Sequence, residues 1–86
     1  MLVNYPIPKI INQMNEVFTE VFDDEDISIQ PKTSSIDIDG WDSLAQIRLI
    51  VGIEQKFLIS FTVDEITDLA DVGEMSELIL KKLSDD

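Results

Sequence analysis

The chain has 86 residues, only three each of Pro and Gly, and 44% apolar residues, which predicts one compact domain over residues 1–86 with a modest core. Its 18 acidic and 6 basic residues give a net charge of −12, which repels phosphate backbones, so nucleic acid is excluded as a partner and a monomer is expected. Cys and His are both absent, which removes disulfides, thiolate metal sites and the usual general bases and nucleophiles, so we do not expect an enzyme.

The first predicted element is an amphipathic helix from Ile7 to Phe22 or Asp23. Its apolar residues recur at steps of three and four, and the two prolines near its start are compatible with a first turn. A long loop is predicted over residues 24–40, which lack a helical period and are rich in Ser, Thr and Asp. Isoleucines that alternate with polar residues are expected to anchor this loop on the helices: Ile27, Ile29, Ile36 and Ile38. A short strand pair is the alternative for the same segment.

The second helix is predicted to begin at Asp42, whose carboxylate can cap the first turn, and to run through Ser43 to about Phe57. Its apolar stripe is too wide for a helix with a single neighbour, so we expect it to be the central element. The bundle should then be completed by two helices after Phe57.

These last two helices are marked by caps and by apolar spacing. Thr62 and Glu65 have the spacing of a capping box, which predicts a short third helix from Val63 to about Leu69. In the fourth helix the residues expected to face inward are Val72, Met75, Leu78, Ile79 and Leu83. The predicted fold is all-α, a four-helix bundle with a short third helix and a long loop between helices 1 and 2.

Neither a membrane span nor a secretory signal is expected. No eighteen consecutive residues are apolar, and the first nine residues lack a basic region followed by a continuous apolar stretch. A cytoplasmic protein is therefore the expectation.

The segment Asp39-Gly40-Trp41-Asp42-Ser43-Leu44 carries the predicted chemistry. A Ser directly after an Asp cap presents its hydroxyl beside unsatisfied amides and the positive end of a helix dipole, where an attached phosphate is favoured. The segment resembles the attachment motif of the acyl carrier protein family, in which a Ser that follows Asp and precedes Leu carries 4′-phosphopantetheine. The long first helix and the isoleucine-bearing loop upstream also resemble the family, residues 49–57 look like its second helix, and residues 59–66 match its turn between helices 2 and 3. The likeness therefore covers nearly the whole chain.

This resemblance implies that a phosphopantetheinyl transferase moves 4′-phosphopantetheine from coenzyme A to Ser43, and that Asp42 and Leu44 belong to the same cofactor-binding site. The thiol of the arm would then hold acyl groups as thioesters. Further partners implied are an acyl-loading ligase or transferase and downstream acyl-using enzymes. Neither a catalytic residue nor a metal ligand is predicted in the chain itself. Candidate partner contacts are Trp41, Ile47, Arg48, Val51 and Phe61, although Trp41 could instead pack over the loop and the apolar ones could be core.

The second helix departs from the pattern of carriers for fatty-acid synthesis, in which it is usually acidic. In the family this helix is the docking face for basic patches on partners, and here that face contains Ala45, Gln46, Arg48, Gln55 and Lys56, with Glu54 as its only acid. A dedicated biosynthetic pathway is therefore favoured over general fatty-acid synthesis.

Other functions remain as alternatives. Peptidyl and D-alanyl carriers share the attachment chemistry and differ in cargo. A helical protein-interaction module would have a similar sequence, with Ser43 as an ordinary cap. A calcium loop is suggested by Ser35, Asp37, Asp39 and Gly40, but the eighth and twelfth positions of that loop are Asp42 and Gln46, where an apolar residue and a Glu are needed.

Overall fold

The computed structural model describes residues 7–84. These residues form four α-helices and one short 3₁₀ turn: α1 (Ile7–Phe22), α2 (Ser43–Phe57), α3 (Val63–Thr67), α4 (Val72–Ser84) and the turn Ser35–Asp37. No strand occurs in this part of the chain, so the all-α prediction is confirmed and the strand pair proposed for the loop is wrong. The helix bounds agree with the expectations, except that α3 ends at Thr67 and not at Leu69. Pro6, expected in the first turn of α1, lies outside the described residues.

The centre of the bundle is α1, which packs closely against both α2 and α4. Its fully buried residues are Ile10, Met14 and Phe18, which meet Leu49 and Ile53 of α2 and Val72, Met75 and Ile79 of α4 in one core. The expectation that α2 is the central helix is therefore wrong. Its wide apolar stripe is divided between the core and solvent, because Leu44, Ile47 and Val51 remain 58%, 61% and 46% exposed.

Asn15 of α1 holds the long loop to the bundle. Its side-chain amide donates to the carbonyl of Ile27 at 3.0 Å, and its side-chain oxygen accepts from the amide of Ile29 at 2.8 Å. Ile29 is buried, and Ile27 and Ile38 are half-buried against the core, as predicted. Ile36 is 91% exposed, so its predicted role as an anchor is wrong. It lies in the 3₁₀ turn, whose tight winding breaks the alternation on which that prediction depended.

The loop also caps the start of α4 with its own backbone. The amide of Gly73 donates to the carbonyl of Pro31 at 2.7 Å, and the amide of Val72 donates to that of Thr33 at 2.9 Å. A β-carbon on Gly73 would lie 3.0 Å from the Pro31 oxygen, so Gly permits the close approach. The loop is therefore fixed at both α1 and α4 before it reaches α2.

Most of the predicted inward residues of α4 lie in or against the core. Val72, Met75 and Ile79 are buried and Leu83 packs against them, but Leu80 contacts the main cluster in place of the predicted Leu78. None of the helices within residues 7–84 has both the length and the apolar character that a bilayer crossing requires.

Candidate functional site

Ser43 is the first residue of α2, and its side chain is exposed. Asp42 caps the helix, as predicted: its carboxylate accepts from the amide of Ala45 at 2.9 Å, and its carbonyl accepts from that of Gln46 at 2.9 Å. The amides of Ser43 and Leu44 have no helical carbonyl four residues earlier to which they can donate, so they remain available beside the Ser43 hydroxyl. This end of α2 is therefore suited to an anionic group attached to Ser43.

A tight turn delivers Asp42 to the start of α2. Gly40 has φ of +87°, a left-handed conformation that residues with a β-carbon rarely adopt, although such a carbon would meet nothing within 4 Å. The amide of Asp42 donates to the carbonyl of Gly40 at 2.9 Å, which closes the turn. The requirement for Gly here is therefore conformational and not steric.

Trp41 connects this turn to the core. Its half-buried indole packs edge-on against Phe18, with ring centroids 5.3 Å apart at 81°, and lies near Phe22. The indole N–H donates to the side-chain oxygen of Gln46 at 2.6 Å. These ring contacts are with α1, which is neither of the two roles considered for Trp41, and a contact with partners stays a prediction. This packing fixes the residue just before the Asp42 cap.

A cavity of about 550 Å³ opens beside Ser43, between α2 and α3. Its lining includes Ser43, Gln46 and Ile47 on one side and Ile66, Leu69 and Met75 on the other. Polar residues also line the cavity, among them Ser35 and Asp71. The site therefore combines an exposed hydroxyl with an open cavity next to it whose lining is partly apolar and partly polar.

Four of the predicted site residues share the outer face of α2. Leu44, Ile47, Arg48 and Val51 are all exposed and recur at the three- and four-residue spacing of one helix face. Phe61 lies apart, beyond the other end of this helix of about 22 Å. It is half-buried, its amide donates to the Glu54 carboxylate at 2.8 Å, and its ring has the Lys82 ammonium 5.6 Å from its centroid.

The short helix α3 is held by a charge pair between residues far apart in the chain. Thr62 and Glu65 form the predicted capping box. Lys82 of α4 also binds the Glu65 carboxylate at 2.9 Å. The hydrogen bond from Lys82, followed by that from the Thr62 amide, lowers the pKa of Glu65. Because Glu65 and Lys82 are 17 positions apart, no local pattern could have indicated their contact.

Within residues 7–84 no group of three or more His, Cys, Asp or Glu side chains is placed to hold a metal ion. In the segment proposed as a calcium loop, Asp37 is engaged locally: its carboxylate accepts from the amide of Ser34 at 2.9 Å. The calcium alternative therefore gains no support from the geometry of these side chains.

Comparison with known proteins decides the family. The family model "Phosphopantetheine attachment site" matches residues 12–79. The solution structure of a holo acyl carrier protein from Geobacter metallireducens is 39% identical, with a TM-score of 0.81, over 86% of this chain and 85% of that one. The chain belongs to the acyl carrier protein family. No curated protein shows a significant match to the sequence.

Acyl carrier proteins are not themselves catalytic, and their cofactor is a covalently attached 4′-phosphopantetheine. The residues of this carrier fit that group. Ser43 offers an exposed hydroxyl, two first-turn amides are available to a phosphate, and the adjacent open cavity has room for part of a flexible arm.

Proposed function

We propose that this carrier holds acyl groups on a 4′-phosphopantetheine arm attached to Ser43 and presents them to partner enzymes of a dedicated biosynthetic pathway. The observation that carries the proposal is the exposed Ser43 hydroxyl directly after the Asp42 cap at the start of α2. When bound, the arm supplies a terminal thiol that forms thioesters with acyl groups. No Cys of the chain competes with that thiol, because the chain has none.

Attachment requires little chemistry from the chain itself. Ser43 Oγ would form a bond to the phosphorus of the coenzyme A phosphopantetheine, the bond to adenosine bisphosphate would break, and a base of the transferase would take the hydroxyl proton. The chain has no His or Cys to act as that base. The amides of Ser43 and Leu44 and the helix dipole would then stabilise the phosphodiester. Asp42 orients this first turn through its hydrogen bond to Ala45.

The dedicated pathway is inferred from the charges on α2. Glu54, the only acid of this helix, is half-buried and accepts from the amide of Phe61. Lys56 is paired with Glu16 of α1 at 2.6 Å. The outer face of α2 near Ser43 therefore offers no carboxylate to a basic partner of the kind that serves fatty-acid synthesis. Peptidyl and D-alanyl carriers stay alternatives, because their attachment chemistry would be the same.

The attachment is tested by incubating the purified protein with coenzyme A, magnesium and a broad-specificity phosphopantetheinyl transferase, followed by intact-mass measurement. We expect the wild type to gain one phosphopantetheine and Ser43→Ala to gain none. Ser35→Ala is the matched control, since Ser35 also lines the cavity but lies in the loop, and it should be modified like the wild type. Absence of modification in the folded wild type would refute the proposal and favour an interaction module with Ser43 as a cap.

The pathway is tested separately with the holo protein. A malonyl transferase from a bacterial fatty-acid synthase should load this carrier with a much lower kcat/KM than the carrier of its own system. Comparable loading of the two carriers would contradict the dedicated pathway but leave the attachment to Ser43 intact.

A further inference from the structure

The helix that begins at Ser43 differs in charge from the rest of the molecule. The whole chain carries −12, whereas α2 contains two basic residues, Arg48 and Lys56, and one acidic residue, Glu54, and so has a net charge of +1. Lys56 is ion-paired with Glu16, and Glu54 is bound to the backbone of the following turn. Arg48 is therefore the charge that α2 presents outward.

Arg48 is surrounded on its helix by exposed apolar side chains. At about 100° per residue, Leu44, Ile47, Arg48, Val51 and Gln55 fall within an arc of about 100° on α2. We call these five residues the α2 face. All five are exposed, and within residues 7–84 no ion-pair partner of Arg48 is found. The α2 face is thus an apolar patch with one cation and no anion.

A protein that covers the α2 face must remove water from the Arg48 guanidinium. Burying a charge is costly unless an opposite charge with good hydrogen-bond geometry meets it, and a carboxylate matches the planar guanidinium with two parallel bonds. A Lys or Arg at the same place would add like-charge repulsion to the cost of desolvation. The matching surface therefore has apolar side chains around an acidic one.

We propose that the enzymes that dock on the α2 face present an apolar surface with a carboxylate opposite Arg48. This inference rests on the proposed function, since an enzyme that acts at Ser43 approaches the helix on which Arg48 lies. A second copy of the chain is a poor occupant because each copy carries −12. Anionic membranes are disfavoured for the same reason.

The overall negative charge does not conflict with an acidic contact point. The field of the whole chain guides approach and is screened over about 10 Å at ordinary ionic strength, whereas Arg48 acts at contact distance. The inference therefore concerns Arg48 and the single residue of the partner enzyme that lies opposite it. It is best tested by reversing one charge on the carrier and one on the enzyme.

The test is a double-mutant cycle with a phosphopantetheinyl transferase of known structure. Each basic residue around its carrier-binding surface is replaced singly by Glu, and kcat/KM is measured with wild-type carrier, Arg48→Glu and Lys81→Glu. Lys81→Glu is the matched control, because it makes the same charge change at an exposed site on α4. Lys81 lies ten residues, or about 15 Å along the helix axis, from Asp71, which lines the cavity and directly precedes α4. Circular dichroism establishes that all three carriers are folded.

At least one Glu substitution in the transferase should raise kcat/KM for the wild-type carrier and lower it for Arg48→Glu, so that the ratio of the two carriers changes about tenfold or more. Lys81→Glu should follow the wild type. If every transferase variant treats Arg48→Glu and Lys81→Glu alike while Ser43 is still modified, this inference alone is refuted. If Ser43 is never modified, the proposed function fails and this inference fails with it.

Discussion

The contact between α1 and α2 at Gly52 predicts whether a Gly52→Ala substitution raises or lowers the free energy of unfolding. A β-carbon on Gly52 would lie 2.6 Å from Cγ1 of Val17, whereas carbon atoms are most favourably separated by about 3.5–4.0 Å. Val17 is buried and β-branched, so its side chain has little freedom to rotate away. Gly52→Ala therefore forces the two helices apart by about 1 Å or strains Val17.

Two opposing effects determine how much Gly52→Ala changes the free energy of unfolding. Overpacking a core position costs about 1–3 kcal/mol, and replacing Gly by Ala inside a helix contributes about 1 kcal/mol of helix propensity. We expect Gly52→Ala to lower the free energy of unfolding by about 1 kcal/mol. In a Val17→Ala background Cγ1 is gone, so the same substitution should instead raise the free energy of unfolding by up to about 1 kcal/mol.

Urea denaturation of the four proteins at fixed ionic strength, followed by circular dichroism, measures both effects. The reversal of sign between the two backgrounds is the critical result. If Gly52→Ala stabilises the protein equally with Val17 and with Ala at position 17, the close approach of α1 and α2 is not what requires Gly52, and the reasoning is wrong.

Two further predictions concern the loop and α3. Asn15→Ala removes both side-chain hydrogen bonds to the loop and should lower the free energy of unfolding in urea by about 2 kcal/mol; a loss below about 0.5 kcal/mol would contradict it. Because Lys82 lowers the pKa of Glu65, the stability from this pair is complete above the ordinary value of 4.5 and is lost as pH falls through the lowered pKa. Glu65→Gln should therefore flatten the acid dependence of unfolding more than Glu77→Gln, an exposed control on α4, and equal flattening would refute the assignment.

The helix ends and the start of the candidate site could be predicted from the sequence because they depend on neighbours. Asp42 caps an amide three residues away, and Thr62 and Glu65 exchange hydrogen bonds over the same short distance. Such contacts form wherever the chain enters a helix, whatever lies around it. The position of Ser43 at an exposed helix start follows from this local chemistry.

The alternation of apolar residues in the loop predicted the buried positions less reliably than the capping residues predicted the helix ends. It predicted the anchors Ile27, Ile29 and Ile38 correctly but also included Ile36, which the 3₁₀ turn points into solvent. Alternation indicates which residues can reach a core only when the backbone is extended throughout. One tight turn is enough to reverse the orientation of a residue within it.

By itself, the sequence determined four helices, the N-terminal caps of α2 and α3, the acidic charge and the Asp-Ser-Leu segment at the start of α2. Only the tertiary structure decided that α1 is the central helix, that Asn15 and Lys82 hold distant segments, and that Arg48 stands alone on an apolar face. These features depend on side chains far apart in the chain, or on which side of a helix its neighbours cover. Periodicity reports the width of an apolar stripe, but the packing of the other helices decides how much of that stripe is buried.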